Sequence, residues 1–340
     1  MNRMLTLARS HRVLVVVVVA VVAFLPAILW YQSQVNPGGS SGAPVVLNVP
    51  AGSGAGVAVS GLASQGVISG TLAFRIYLTL HGTPLIQPGH YLFYRHESFG
   101  AIDATLAGGA NVFPVSIPPG YTVAELSQEM GDVPGHNSAA FLSEISSGAV
   151  RSPWEPPGVN NLDGLLAPGS YLVKPGESDA AVLQQMIGKF NDEAQAAGLV
   201  VGAQASGLTP YQAIIVAAIV QKEGVYPQNL GKVSRVIYNR LNVGMPLQMD
   251  STVLYALGQD GGPVGNAESH QSPYNTYLNK GLPPTPTSFP SADSLAAALH
   301  PTPGSWLYFV LVQSDGTEAF SNTNAGQIAN EHLAASRGLG

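Results

Sequence analysis

Eighteen consecutive residues without a charge, Val13 to Trp30 (VLVVVVVAVVAFLPAILW), constrain this chain more than any other feature. A helix rises ~1.5 Å per residue, so this run reaches about 27 Å, close to the thickness of a bilayer's hydrocarbon core. A helix also satisfies its backbone polar groups within itself, which lipid demands. The run therefore predicts a membrane-spanning helix over residues 13–31. Arg3, Arg9 and Arg12 precede it, and no Lys or Arg follows until Arg75. The positive-inside bias assigns residues 1–12 to the cytoplasm and the rest of the chain to the extracytoplasmic side of the cell membrane. A cleaved signal peptide is the competing reading. Tyr31-Gln32-Ser33-Gln34 is polar and bulky rather than small-x-small, which favours an uncleaved anchor.

Composition narrows the partners. Of 340 residues, 46% are hydrophobic and only 10% charged, and the formal net charge is −6. Neutralising phosphates needs clustered Lys and Arg, so nucleic acid is not an expected partner. The chain has no cysteine, which excludes disulfides and thiolate metal sites. Its eight histidines form no H-E-x-x-H pattern, and neither a metal nor another cofactor is expected.

Residues 32–44 (QSQVNPGGSSGAP) read as a flexible tether. Gly38-Gly39-Ser40-Ser41-Gly42 within them matches a G-x-S-x-G nucleophile elbow but lacks the strand before and helix after that the elbow requires. Beyond the tether the fold class is α+β. Residues 45–112 show a strand at Val45–Val49, helices at Gly56–Gly66 and Ser69–Leu80, and a strand at His90–Arg95, with Ser69 a candidate N-cap. This βααβ order is reminiscent of LysM-like carbohydrate-binding modules, and a plain structural spacer is the alternative. Residues 113–204 repeat a theme of strand, Pro-Gly turn and helix, forming a connecting α/β subdomain. Residues 205–340 form the last, mixed α/β domain.

That last domain opens on a strong helix start. Thr209 can cap, Pro210 takes the first helical position and Gln212 completes a capping box. Seven apolar residues, Ile214 to Val220, lead to Gln221, Lys222 and Glu223, and Gly224 marks the stop. A helix apolar on every side is buried. Burial and the negative end of the helix dipole both raise the proton affinity of a carboxyl in its last turn. A carboxylic acid kept protonated near neutral pH suits glycosidic cleavage, where the leaving oxygen must receive a proton. Most acids at helix ends, however, are solvated surface residues.

The downstream motifs decide between these readings. They are K-E (222–223), Y-N-R-L (238–241), G-M-P-L-Q-M-D-S-T (244–252), S-P-Y-N-T-Y (272–277), G-L-P-P (281–284), A-D-S-L-x-A-A-x-H-P (292–301) and L-Y-F-V (307–310). In this order they resemble the YceG/MltG family of membrane-anchored endolytic murein transglycosylases. The resemblance is dense over about 209–335. Upstream it is thinner, carried by L-D-G-L-L-A-P-G-S-Y-L-V (162–173). It implies cleavage of the β-1,4 bond between N-acetylmuramic acid and N-acetylglucosamine inside glycan strands, without water, leaving 1,6-anhydromuramoyl ends. Glu223 falls on the catalytic glutamate, serving as acid toward the glycosidic oxygen and then as base toward the C6 hydroxyl.

Supporting roles follow from this resemblance and from residue type. Asn239 and Gln248 are candidates to hydrogen-bond sugar hydroxyls or acetamido groups. Asp250 is a candidate to hold such donors or to stabilise a developing oxocarbenium; a helix cap for Ser251–Gly258 is the alternative. Tyr274, Asn275, Thr276 and Tyr277 form a polar-aromatic loop suited to sugar stacking. Arg240 is read as structural. Gly224, Thr285 and Phe289 depart from the family pattern and put loop shape in question. The expected partners are peptidoglycan strands, the membrane and peptidoglycan synthases. A glycoside hydrolase using Glu223 with Asp250, and a non-catalytic peptidoglycan-binding scaffold, are the alternatives.

Overall fold

The computed structural model describes residues 19, 22–40, 42–224, 226–262 and 264–339, and the chain divides into two compact units, up to Pro114 and from Val115. Residues 13–18, 20 and 21 of the expected span lie outside this description. Helix α1 (22–35) includes residues 22–31 of the span. Phe24, Leu25, Ile28, Leu29 and Trp30 of α1 are exposed. Among the described residues, no single helix is long and apolar enough to cross a membrane. The structure also shortens the tether: residues 32–35 continue α1, and Tyr31 and Val35 pack on the first unit's core.

In the first unit, β1 (Pro44–Val49) pairs antiparallel with β2 (Gly89–Tyr94), with Leu47 opposite Tyr91 and Val49 opposite Gly89. Helices α2 (Ala55–Ser64) and α3 (Thr71–His81) lie between them in the chain. The expected βααβ order is present. The start of α3 differs, because Gly70 rather than Ser69 is its N-cap and no side chain bonds there. Helix α4 (Phe99–Gly108), capped by the Ser98 hydroxyl, completes the unit. Its Phe99, Ile102 and Leu106 join Leu47, Leu62, Phe74, Tyr91 and Phe93 in one core, so the four elements of the βααβ order do not bury their apolar faces alone.

Strand β3 (Phe113–Ile117) carries the chain over the division and pairs with β4 (Gly169–Val173). Helices α5 (Val123–Gly131) and α6 (Ser138–Ser147) follow β3. The expected Pro-Gly turn before α5 ends in a full capping box between Thr122 and Glu125. After β4 come α7 (Asp179–Ala196) and α8 (Leu199–Ala205).

Helix α9 (Pro210–Glu223) is the hub of this unit, starting with the expected capping box of Thr209 and Gln212. Every residue from Ala213 to Val220 is buried. Each large aliphatic among them contributes about 1.5–3 kcal/mol relative to exposure. Around α9 pack α8, α10 (Pro227–Asn242), α11 (Asp250–Ala256) and α12 (Ala292–Leu299). The hairpin of β5 (Tyr308–Leu311) and β6 (Glu318–Ser321) follows, and α13 (Asn324–Ser336) packs on it. Gly224 ends α9 at φ −90, an ordinary conformation, so it is not the left-handed stop that the sequence suggests. A side chain there would instead meet Leu230 Cδ2 at 2.9 Å.

Candidate active site

Glu223 closes α9 as a half-buried carboxylate that accepts the backbone N–H of Ser251 at 3.0 Å. Ser251 belongs to the first turn of α11, so the acid sits between the C-terminal end of one helix and the N-terminal end of another. The second helix end favours the ionised form, against the first. Burial wins: it holds the Glu223 carboxyl above its ordinary range, opposed by hydrogen bonding to Ser251, reinforced by the charge of Asp250, and opposed again by Arg240. The neighbouring Lys222 is spent elsewhere, on Asp260 and on the carbonyl of Gly120 at 3.4 Å.

Asp250 begins α11 and is exposed. Met249 is the N-cap and makes no side-chain cap, so Asp250 is not the cap that residue type permits. Its Oδ1 instead accepts the hydroxyl of Tyr277. Gln248, just before, has φ +50 with an exposed side chain. A non-glycine residue held in the left-handed region costs on the order of 1 kcal/mol, and such strain clusters where a side chain must be aimed. Glu223, Gln248, Asp250 and Tyr277 are thus gathered around the start of α11.

The other expected contacts are corrected or qualified. Asn275 is fully buried; its Nδ2 donates to the carbonyls of Glu268 and His270, and its Oδ1 accepts Tyr277 N–H. Thr276 is buried too, its hydroxyl occupied by Met249 N–H and Thr252. Both side chains are buried and bonded within the protein, so both shape the loop. Asn239 donates to the carbonyls of Gly304 and Trp306, tying α10 to the approach of β5. Arg240 bonds the carbonyls of Leu307 and Leu247 and lies over the Tyr308 ring, as a structural residue would.

A cavity of about 490 Å³ opens beside Glu223. Glu223 does not line it, but its chain neighbour Lys222 and its hydrogen-bond donor Ser251 do, together with Asp163, Tyr255 and Tyr274. Ser251 and Tyr255 are four residues apart and share one face of α11. The Tyr255 hydroxyl donates to Asp163 Oδ2 at 2.6 Å, while Val123 N–H at the start of α5 donates to Oδ1 at 2.7 Å. Burial pushes Asp163 up to about 6, against these hydrogen bonds. Tyr274 packs on Tyr255 with ring centroids 4.8 Å apart and bonds the hydroxyl of Thr285. Among the described residues, no three His, Asp or Glu side chains converge as a metal site would require.

The profile of the YceG-like family matches residues 47–334, most of the chain. The chain belongs to the YceG-like family. Among relatives of this YceG-like chain, the endolytic murein transglycosylase of Bacillus subtilis is 28% identical over 82% of this chain and 81% of its own length. That of Streptococcus pneumoniae is 26% identical over 85% of this chain. This chain spans only 58% of the pneumococcal protein's length. The crystal structure of a yceG-like protein from Listeria monocytogenes shares the fold, with a TM-score of 0.57 at 24% identity over 85% of this chain and 99% of that one.

Two departures from the family pattern are explained by packing. Thr285 hydrogen-bonds Tyr274 and Asn161, and Phe289 is fully buried, with its backbone bonded to Gly120 and Tyr121. Sequence reading missed Asp163, Ser251 and Tyr255 as residues around the cavity. Asp163 and Ser251 lie within motifs that carry the resemblance; only the spatial pairing was hidden.

Proposed function

We propose that this chain is a membrane-anchored endolytic lytic transglycosylase that cuts the β-1,4 bond between N-acetylmuramic acid and N-acetylglucosamine in nascent peptidoglycan. The observation that carries this reading is Glu223, an acid with raised proton affinity beside an open cavity. Membership of the YceG-like family and the names of the two bacterial relatives support it. In the reaction, Glu223 gives its proton to the glycosidic oxygen as the C1–O bond breaks and the sugar gains oxocarbenium character. The Glu223 carboxylate then takes the proton from the C6 hydroxyl, whose oxygen closes on C1. The product is a 1,6-anhydro end, no water is consumed and the acid is restored.

In this reading the exposed Asp250 stabilises the positive charge; its hydrogen bond from the Tyr277 hydroxyl supports that role. The uncharged N-terminal run and the exposed apolar residues of α1 support the anchor, which keeps the site close to strands as they leave the membrane. Ending glycan elongation beside peptidoglycan synthases is the role this location suits.

The test digests purified glycan strands with wild type and Glu223→Gln. Anhydro-ended fragments from wild type, reduced by about 10²–10⁴ in the variant, are expected. Equal release by both proteins would overturn the assignment. Reducing ends in place of anhydro ends would make the protein a hydrolase using Asp250 as its base.

A further inference from the structure

The exposed apolar residues of the first unit are not scattered. Leu72, Ile76 and Leu80 follow one another at four-residue steps along α3, apart from the face of its buried Ala73, Phe74, Tyr77 and Leu78. Leu72 is 64% exposed, Ile76 39% and Leu80 70%, and Leu85, just past the helix, is 85% exposed. Single exposed leucines are ordinary, but a stripe ~12 Å long on one helix is a surface that something covers. The chain brings that surface close to the proposed span. Helix α1 does not stop where the uncharged run ends at Trp30; it continues to residue 35. Tyr31 and Val35 in that extension pack on the same core that buries Phe74 and Tyr77 of α3. From Trp30 to Val35 is ~7.5 Å of helix, about the depth of one headgroup layer. With Trp30 at the hydrocarbon edge, the first unit therefore stands in the headgroup layer, not above it on a tether.

Charge selects what covers it. The chain has 20 acidic residues, yet none occurs in residues 1–96. The first unit's acids, Glu97 and Asp103, come after β2 and are half-buried. Arg75 sits exposed on α3 beside the stripe, and its guanidinium joins no ion pair among the described residues. Apolar side chains flanked by an unpaired arginine, with no carboxylate to repel lipid phosphates, suit the surface of an anionic bilayer. A second copy docking through the same stripe would add another arginine and no acid.

We propose that the α3 stripe and Leu85 dip into the headgroup region of the membrane, so that the first unit stands on the lipid surface beside its own anchor. The inference rests on the proposed anchor and is independent of the reaction at Glu223.

The chain has no cysteine, so single cysteines test it cleanly. Leu72→Cys, Ile76→Cys, Leu80→Cys and Leu85→Cys are made in the full chain, with the exposed Gln65→Cys on the same unit as reference and Ile28→Cys marking the anchor. Each is reconstituted in vesicles of phosphatidylethanolamine and phosphatidylglycerol. One readout is the rate of reaction with a charged, membrane-impermeant thiol reagent; the other is quenching of an attached fluorophore by nitroxide-bearing lipid. The stripe is expected to react more slowly than Gln65 and to lose fluorescence to the lipid quencher, as a face ~5–10 Å into the headgroup–acyl boundary would. Stripe cysteines as reactive as Gln65 and unquenched overturn the proposal. Slow reaction without quenching also overturns it, because a protein surface then covers the stripe. Quenching at Ile28 but not along the stripe overturns the proposal and leaves the anchor standing; no quenching at either place overturns both.

Discussion

At the scale of single residues, the second buried acid of the cavity, Asp163, offers the sharpest check on the electrostatics. Both of its oxygens are acceptors, one for Tyr255 O–H and one for Val123 N–H. Asp163→Asn turns an amide donor toward one of those donors, and we expect it to cost about 1–3 kcal/mol. The pH dependence carries a sign. Burial raises Asp163 to about 6 in the folded chain, above the ~3.9 of a free aspartate. Between those values the folded state binds more protons than the unfolded one, so the stability due to Asp163 is present below about pH 4 and fades as pH rises through about 6. Asparagine does not titrate. Thermal melts of both proteins should therefore show the wild-type advantage shrinking from pH 4 to 7; a constant gap would contradict a raised Asp163. Tyr277 gives a second residue-scale outcome. Tyr277→Phe leaves Asp250 without its hydrogen bond, and kcat is expected to drop by about tenfold, as for one lost bond to a charged group. An unchanged kcat would remove Asp250 from the reaction.

At the scale of elements, α9 and α11 make the site together. Helix α9 is rigid because it is buried and capped, and it delivers Glu223 at its end. Helix α11 is short, yet its first turn holds Glu223 through Ser251 and its last turn holds Asp163 through Tyr255. The junction after α9 depends on close packing, because Gly224 leaves room for Leu230. Gly224→Thr should push Leu230 away and lower stability by about 1–3 kcal/mol, read as a shifted denaturation midpoint with an unchanged slope. A neutral result would show that α10 yields freely at its start. The elements themselves were largely legible in the sequence: the capping box at Thr209 and the strand over Val45–Val49 both stand where local pattern puts them. Helix α4 was not legible, because FGAIDATLAG carries two glycines and only a mild apolar stripe; its helicity depends on the core it packs against.

At the scale of the whole molecule, the proposed anchor rests on the first 31 residues. The full chain should sediment with membranes and resist a carbonate wash, while a chain lacking residues 1–31 should be released and keep its activity on soluble glycan fragments. Release of the full chain by carbonate would rule out the anchor.

The sequence alone determined the hub helix, its capped start, the acid at its end and the family, because these depend on neighbours within a few turns or on motifs in fixed order. Tertiary structure alone decided what surrounds that acid. Ser251 meets Glu223 across 28 residues of chain, and Asp163 meets Tyr255 across 92. It also turned Asn275 and Thr276 from candidate sugar contacts into buried struts of the loop. Proton affinity is set by burial and by charges a few ångströms away, and neither quantity is a property of local sequence.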